Sequence, residues 1–350
     1  MRYSKLGSSP LNVSRVCLGT MTWGSQNTQA DVDEQMDYAL AQGINFVDTA
    51  ELYAVPPTPE TYGKTEVMIG NWLARHPERR SSFILASKIA GKGLGWIRGA
   101  ADITGKSVID AVDASLQRLQ TDYIDLFQLH WPNRPHASFG QHHEGMIGFS
   151  HLDRQAIDAD MVDILEGVQR CIDAGKIHYL GLSNESPWGI SNLLRLSEKY
   201  GLPRPVSIQN EFSLLMQKDW PYTLEACVHE EIAYLPWSPL CTGALSGKYL
   251  NGAIPSGSRW SLSQRHGLFR HTEGVMSATE DLLALASKFG ITPSQLALAW
   301  CDQVDGVTST IIGATSLTQL KENIAAFNIT LSADQLSEIR AVIKPHTAPF

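Results

Sequence analysis

Short apolar runs alternate along the chain with longer segments in which apolar positions recur at helical spacing. This alternation predicts repeated β-strand and α-helix units whose strands form a parallel sheet. Residues 2–7 (RYSKLG) precede the first unit and have the pattern of a β-hairpin. The eight apolar runs are SRVCLGT (14–20), NFVDTA (45–50), FILASK (83–88), YIDLFQLH (123–130), HYLGLSN (178–184), VSIQNE (206–211), IAYLPWS (232–238) and TSTIIGA (308–314).

Eight such units are the number that closes a parallel sheet into a (β/α)8 barrel. We therefore predict an α/β fold of the TIM-barrel type with an N-terminal β-hairpin, formed by a single domain over residues 1–350. No linker, tandem repeat or low-complexity tract divides the chain. An open, doubly wound sheet is the alternative, but no G-x-G-x-x-G motif follows the first strand, and GKGLGW (91–96) has a different spacing.

Several helix boundaries can be predicted from single residues. The apolar positions of residues 161–176 (MVDILEGVQRCIDAGK) form one stripe, and Gly175 is placed to end that helix. Ser332 and Ser316 each stand three residues before a glutamine, which is the spacing of a capping box. Pro293 is placed in the first turn of another helix.

Composition and charge exclude several kinds of partner. The 350 residues are 43% hydrophobic and 18% charged, which suffices for a large core. The formal net charge is -8 and no basic tract is present, so we expect neither nucleic acid nor a membrane surface as a partner. No segment approaches about 18 consecutive apolar residues, and no apolar signal core begins the chain. Five scattered cysteines without C-x-x-C spacing indicate buried thiols, and we predict a cytoplasmic protein.

Each predicted strand ends in polar or aromatic residues. In a barrel of this type these ends converge on one face, which is where chemistry is performed. The charge of Asp48, at the end of an otherwise buried strand, is therefore expected at the floor of a pocket. The residues at the strand ends are Thr20, Met21, Asp48, Lys88, His130, Ser183, Asn184, Gln209, Trp237 and Gly313 to Thr315.

Three of these residues, together with Tyr53 in the loop after Asp48, have the chemistry of carbonyl reduction. A buried Lys88 needs a counter-ion, which Asp48 can supply. The lysine charge favours a phenolate and is expected to lower the pKa of Tyr53, making it a proton donor. His130 would orient the substrate oxygen. Each residue alone has a structural interpretation, as a salt bridge or a packed ring, and only the combination favours catalysis.

The segments GINFVDTAELY, LASK and DLFQLHWP resemble the catalytic tetrad of the aldo-keto reductases, a (β/α)8 family that transfers hydride from NADPH to aldehydes and ketones without a metal. The resemblance extends over essentially the whole chain and is greatest for the bacterial Tas-like branch, which is similar to the potassium-channel β subunits. It implies Tyr53 as general acid, Asp48 and Lys88 as groups that tune it, His130 as substrate orienter and a small carbonyl compound as substrate.

The cofactor side also has candidate residues. Trp237 offers a flat platform for a nicotinamide ring, and Ser183, Asn184 and Gln209 offer hydrogen bonds to its amide. Phosphate groups need cations and free backbone N–H groups, which this barrel class often supplies after the last two strands. Together with Thr20, Met21 and Asp48, the further candidates are Ser238, Pro239, Leu240, Thr242, Gly243, Lys248, Arg259, Gly313, Thr315, Gln319, Glu322 and Asn323.

The predicted cofactor is NADPH. Many aldo-keto reductases hold its 2′-phosphate with a lysine and an arginine, whereas the matching positions here are Gly313 and Gln319. Arg259 is the candidate that replaces those charges.

Residues 132–160 form a predicted long loop over the active site that shapes the substrate pocket. Its histidines, His136, His142, His143 and His151, have no spacing that fixes a metal site, so no metal is predicted. Trp23, Trp131 and Trp188 are candidates for the pocket wall.

Two other functions are compatible with such a barrel. One is an NADP-binding regulatory or redox-sensing subunit with little turnover, but the channel-subunit branch has lost the histidine that is present here as His130. The other is a metal-dependent hydrolase, but its usual His and carboxylate ligands are absent from the strand ends. A carbonyl reductase is therefore the favoured interpretation.

Overall fold

The computed structural model describes residues 1–141, 143–262 and 268–346. An antiparallel hairpin, β1 (Tyr3–Lys5) and β2 (Asn12–Ser14), begins the chain. Leu6 and Val13 of this hairpin are buried against apolar side chains from inside the barrel. The hairpin therefore closes the barrel at the end where the strands begin.

Eight parallel strands of the described residues form the barrel. Each barrel strand is hydrogen-bonded to the next one in the chain, and the last is also hydrogen-bonded to the first. The backbone N–H groups of Thr308 and Ile311 donate to the carbonyl oxygens of Tyr234 and Pro236, which joins the last strand to the one before it and closes the circle. The strands are β3 (Val16–Gly19), β4 (Phe46–Asp48), β5 (Ile84–Ile89), β6 (Ile124–Leu129), β7 (Ile177–Ser183), β8 (Pro205–Gln209), β9 (Ala233–Tyr234) and β10 (Thr310–Ile312).

Helices surround the sheet and bury apolar faces against it. Their side chains and the outward-facing strand residues form one large cluster, while a smaller cluster fills the inside of the barrel. The helices are α1 (Gln29–Ala41), α2 (Lys64–Arg75), α3 (Gly105–Leu119), α4 (Arg154–Asp173), α5 (Pro187–Tyr200), α6 (Tyr222–His229), α7 (Arg259–Leu262), α8 (Glu273–Phe289), α9 (Pro293–Gln303), α10 (Leu317–Ala325) and α11 (Ala333–Ile343).

The predicted architecture is confirmed: each apolar run overlaps one barrel strand, although β5, β7 and β8 extend one residue beyond their runs. A hairpin precedes the barrel, but its second strand is Asn12–Ser14 and lies after residues 2–7. The five cysteines are free and buried, as predicted. Among the described residues no single helix is long and apolar enough to cross a membrane; α8 and α9 meet that criterion only as a pair and join at a bend of 89°.

Several predicted helix boundaries can be compared with the structure. Gly175 follows α4 with a φ of 70°, and Ser332 forms a complete capping box. Ser316 caps α10, but the glutamine three residues later turns its side chain to the backbone N–H of Thr315 instead. The predicted boundary of the 132–160 loop is wrong at its second end, because Asp153 caps α4 and the helix begins at Arg154.

Candidate active site

The ammonium group of Lys88 lies at the centre of a polar cluster at the carboxyl ends of the strands. Its side chain is fully buried. Nζ donates to Asp48 Oδ2 at 2.6 Å and to the carbonyl oxygen of Thr49 at 2.8 Å, and it lies 3.4 Å from the hydroxyl oxygen of Tyr53. Asp48 ends β4 and Lys88 is the fifth residue of β5, so adjacent parallel strands bring these charges together.

Asp48 is held by two glutamines as well as by Lys88. Gln128 and Gln209 each donate through Nε2 to Asp48 Oδ1, at 3.0 and 2.9 Å, and Gln209 Nε2 also lies 3.0 Å from Gln128 Oε1. Thr20 donates its hydroxyl to the Asp48 carbonyl oxygen at 2.8 Å. Both N–H groups of Gln209 are therefore engaged within the protein, and its oxygen is the atom left for a ligand. Gln128 was missed by the sequence reasoning, although a lone polar residue two positions before His130 lies on the same strand face.

Burial governs the proton affinity of Tyr53. Desolvation raises its pKa and outweighs the positive charge of Lys88, which lowers it. The expected net lowering of the Tyr53 pKa is therefore wrong. Desolvation also disfavours the charged form of Lys88, yet Asp48 and Tyr53 raise the Lys88 pKa above its ordinary value. At neutral pH the cluster consists of a neutral phenol beside a lysine cation.

His130 follows β6 directly and faces Tyr53. The two rings meet edge to face with their centroids 5.7 Å apart. Burial, and secondarily the charge of Lys88, holds the His130 pKa well below its usual range, so the imidazole is neutral at pH 7. His130 Nδ1 is buried and has no hydrogen-bond partner among the described residues.

Aromatic side chains line the space beside this cluster. Trp131 contacts the His130 ring at a centroid distance of 4.9 Å and donates its indole N–H to the Lys92 carbonyl oxygen. Phe139 lies 6.5 Å from Trp131 and 5.8 Å from Trp237 between ring centroids. The first part of the predicted loop, up to Phe139, therefore reaches from one side of the strand-end face to the other.

Two of the tryptophans predicted for the pocket lie elsewhere. Trp23 is fully buried in the main core, where its indole N–H donates to Gln35 of α1. Trp188 is exposed on α5, and its ring lies beneath the guanidinium groups of Arg134 and Arg154. The prediction that Trp23 and Trp188 line the pocket is therefore wrong, whereas Trp131 lies beside the polar cluster.

The two polar residues at the end of β7 are already hydrogen-bonded to neighbouring strand ends. Ser183 donates its hydroxyl to the Gln209 carbonyl oxygen at 2.8 Å, and Asn184 Nδ2 donates to the His130 carbonyl oxygen at 2.8 Å. Asn184 has a φ of 54°, a left-handed conformation that asparagine tolerates. Trp237 stands at the end of the β9 segment, and its buried Nε1 has no partner among the described residues.

The segment after Trp237 turns sharply. Ser238, Thr242 and Gly243 have φ values of 57°, 54° and 96°, and Leu240 accepts from the Gly243 N–H. Successive residues of this kind turn backbone N–H groups toward one side, an arrangement that favours anions. Of the two remaining candidates in this segment, Pro239 is buried and Lys248 is exposed.

Arg259 begins α7, and its side chain extends toward the polar cluster around Lys88. Nη1 lies 3.9 Å from Met21 Sδ, and the buried Nε has no partner among the described residues. Burial lowers the Arg259 pKa to about 10. The Arg259 charge partly offsets the rise in the Tyr53 pKa that burial causes. None of the ion pairs between described residues includes Arg259. Within the described part of the chain, the guanidinium is thus a cation without a counter-ion close to Tyr53.

The last group of cofactor candidates surrounds the turn between β10 and α10. Gln319 Oε1 accepts from the Thr315 N–H, and Asn323 Nδ2 donates to the Gly313 carbonyl oxygen at 3.1 Å. Glu322 accepts from the hydroxyl of Thr292, the residue that caps α9. Gln319 and Asn323 thus hold the turn, and neither position 313 nor position 319 carries a charge.

The predicted loop histidines show no metal-binding arrangement in the described ranges. No group of three His, Cys, Asp or Glu side chains in those ranges could hold a metal ion. His136 contacts the Phe139 ring, and His142 lies outside the described residues.

Comparison with known proteins identifies the family. Residues 15–344 match the model of the aldo/keto reductase family. The chain is 43% identical over 352 residues to "Protein tas" of Escherichia coli (strain K12) and of Shigella flexneri, covering 100% of this chain and 99% of each relative. It is 31% identical over 341 residues to "Uncharacterized oxidoreductase YrpG" of Bacillus subtilis (strain 168), covering 96% and 94%. The chain therefore belongs to the aldo/keto reductase family and is an NAD(P)-dependent oxidoreductase.

Proposed function

We propose that the protein is an NADPH-dependent carbonyl reductase of aldehydes or ketones in which Tyr53 is the general acid. The observation that carries this proposal is the position of Lys88 Nζ between Asp48 Oδ2 at 2.6 Å and the Tyr53 hydroxyl at 3.4 Å. A cation placed there stabilises the phenolate that remains once Tyr53 has given up its proton.

The residues present fit a nicotinamide cofactor. The buried Nε1 of Trp237 and Nε of Arg259 lack partners in the described part of the chain, as expected of groups that meet a ligand. Trp237 would face the nicotinamide ring, and Ser183, Asn184 and Gln209 would bind its amide. Bound NADPH supplies a hydride to the carbonyl carbon.

Phosphate binding would use the segment after β9 and the turn before α10. Ser238 and Leu240 would offer backbone N–H groups, with Lys248 as a nearby cation. Thr242 and Gly243 would shape the turn, because their own N–H groups donate to Ser238 Oγ and to the Leu240 carbonyl oxygen. Arg259 is the residue on which the proposed preference for NADPH rests, because positions 313 and 319 carry no charge. Because Arg259 also lies close to Tyr53, its proposed role in binding the 2′-phosphate needs a direct test.

The protein groups divide the proton chemistry between them. Tyr53 is neutral at pH 7, since burial raises its pKa, and can therefore donate to an oxygen that gains negative charge. Neutral His130 would hydrogen-bond the same oxygen and orient it. The aromatic wall of Trp131 and Phe139 would exclude water from the reacting carbonyl.

A steady-state assay tests this function. Oxidation of NADPH is followed at 340 nm with aromatic aldehydes, aliphatic aldehydes and ketones, in parallel with NADH. Turnover that depends on a carbonyl substrate is expected. A protein that binds NADPH but reduces no member of the panel would favour the regulatory alternative.

A further inference from the structure

Glu51 is a fully buried carboxylate close to the catalytic residues, and sequence reasoning gave it no role. Its Oε1 accepts from the backbone N–H of Ala90 at 2.6 Å and from Arg98 Nη2 at 2.7 Å. Its Oε2 accepts from the Tyr62 hydroxyl at 2.9 Å and from Arg98 Nη1 at 3.1 Å. Both oxygens are thus engaged, and Arg98 binds them in a bidentate arrangement.

These partners belong to two different loops. Glu51 and Tyr62 lie on the loop that leaves β4 and carries Tyr53, whereas Ala90 and Arg98 lie on the segment that leaves β5 after Lys88. The backbone reinforces the link, because the Glu51 N–H donates to the Lys88 carbonyl oxygen at 3.2 Å. Glu51 therefore connects the loop of the proposed acid with the strand of the lysine that acts on it.

The connection is stiff for a physical reason. A buried carboxylate is stable only while it is paired and hydrogen-bonded, so the two loops cannot separate without leaving a charge unsatisfied. The Tyr53 hydroxyl, at 3.4 Å from Lys88 Nζ, is near the limit of a hydrogen bond. A small displacement of the loop would end that contact.

We propose that Glu51, through Arg98 and Tyr62, is a positioning residue that holds Tyr53 at the distance from Lys88 needed for proton transfer. This inference rests on the proposed function, in which Tyr53 is the general acid. It predicts that loss of the Glu51 charge acts on catalysis through Tyr53 and leaves cofactor binding intact.

The first experiment compares two buried carboxylates with the same kind of partners. Asp125 Oδ2 accepts from Arg80 Nη2 at 2.7 Å and from the Leu85 N–H at 2.9 Å, but it lies where the strands begin, at the opposite end of the barrel. We expect Glu51→Gln to lower kcat for carbonyl reduction by about 10-fold to 100-fold with little change in NADPH affinity. Asp125→Asn should leave kcat within about twofold of the parent at a temperature where each variant is folded.

A double-mutant cycle separates positioning from general damage. If Glu51 acts through Tyr53, then Glu51→Gln should have almost no further effect on the residual rate in a Tyr53→Phe background. An equal loss in both backgrounds would overturn the inference. Tyr62→Phe removes one hydrogen bond from Glu51 and should give a smaller loss of the same kind, and it serves if Glu51→Gln does not fold.

The two proposals fail in different ways. If Tyr53→Phe abolishes reduction and the folded Glu51→Gln and Tyr62→Phe proteins turn over at the parental rate, the positioning role is wrong and the proposed function stands. If the parent reduces no carbonyl compound, the proposed function fails. Crystal structures of the parent and the Glu51→Gln variant then decide the positioning claim, which requires that the variant lose the Tyr53 to Lys88 contact.

Discussion

The Nζ atom of Lys88 lies 3.4 Å from the hydroxyl oxygen of Tyr53, although the two residues are 35 positions apart in the chain. The contact exists because β4 and β5 are parallel neighbours, so that the loop after one strand passes the end of the other. Lys88 has no access to solvent, and Asp48 is its ion-pair partner. The lysine charge therefore acts on Tyr53 across a short, desolvated distance, where electrostatic effects are large.

Lys88→Met should reduce both activity and stability. Without the cation, the phenolate loses its stabilisation and carbonyl reduction should fall by roughly 10²-fold or more. Asp48 would be left as a buried unpaired charge, which should lower the free energy of unfolding by about 3–5 kcal/mol. Lys92→Met is the control, because the exposed Lys92 to Asp102 pair should contribute at most about 1 kcal/mol. Urea unfolding and steady-state rates measure both effects, and a Lys88→Met protein as active as the control would refute the role of the charge.

NADPH binding should quench tryptophan fluorescence. Trp237 is expected to lie against the nicotinamide ring, so Trp237→Phe should remove most of the quenching. Trp220→Phe is a suitable control because Trp220 is exposed beside α6. Calorimetry should establish that each protein is saturated with NADPH, and unchanged quenching in saturated Trp237→Phe would exclude the stacking role.

Arg259→Ala should weaken NADPH binding much more than NADH binding, if the guanidinium binds the 2′-phosphate that only NADPH carries. Dissociation constants for both cofactors are measured by calorimetry. Equal losses for the two would indicate that Arg259 binds a group that they share, which its position near Met21 and Tyr53 also permits.

Burial of neutral His130 should make stability depend on pH. Its folded-state pKa lies well below the ordinary value, so below about pH 6.5 the unfolded chain binds a proton that the folded chain does not. The free energy of unfolding should therefore fall as the pH falls through this range. Between about pH 7.5 and 5.5 the free energy of unfolding of the parent should fall more steeply than that of His130→Gln in urea unfolding. Equal losses would mean that His130 titrates normally.

The barrel and the polar cluster at its strand ends could be predicted from sequence because both follow from local patterns. Polar residues stand at or just after the ends of most buried strands, and parallel topology brings those ends together, as Asp48 and Lys88 show. Gln128 could have been found by the same reasoning, since it lies on the strand face of His130.

Other features depend on distances that a sequence does not contain. The net direction of the Tyr53 pKa follows from a balance between burial and the Lys88 charge. Glu51 binds Ala90 and Arg98, whose positions in an irregular segment after β5 have no periodic pattern. Trp23 is an aromatic residue just after a strand end, as a pocket residue would be. Only its packing against α1 shows that it belongs to the core.

The most direct test of the account is the rate of carbonyl reduction by Tyr53→Phe at saturating NADPH. The substitution keeps the ring and removes only the transferable proton, so the rate should fall by roughly 10²-fold or more while NADPH affinity is almost unchanged. A thermal melt of the variant checks that lost activity is not lost folding. A folded, NADPH-saturated Tyr53→Phe protein that reduced aldehydes at the parental rate would show that the proton comes from another group and that Tyr53 is not the acid.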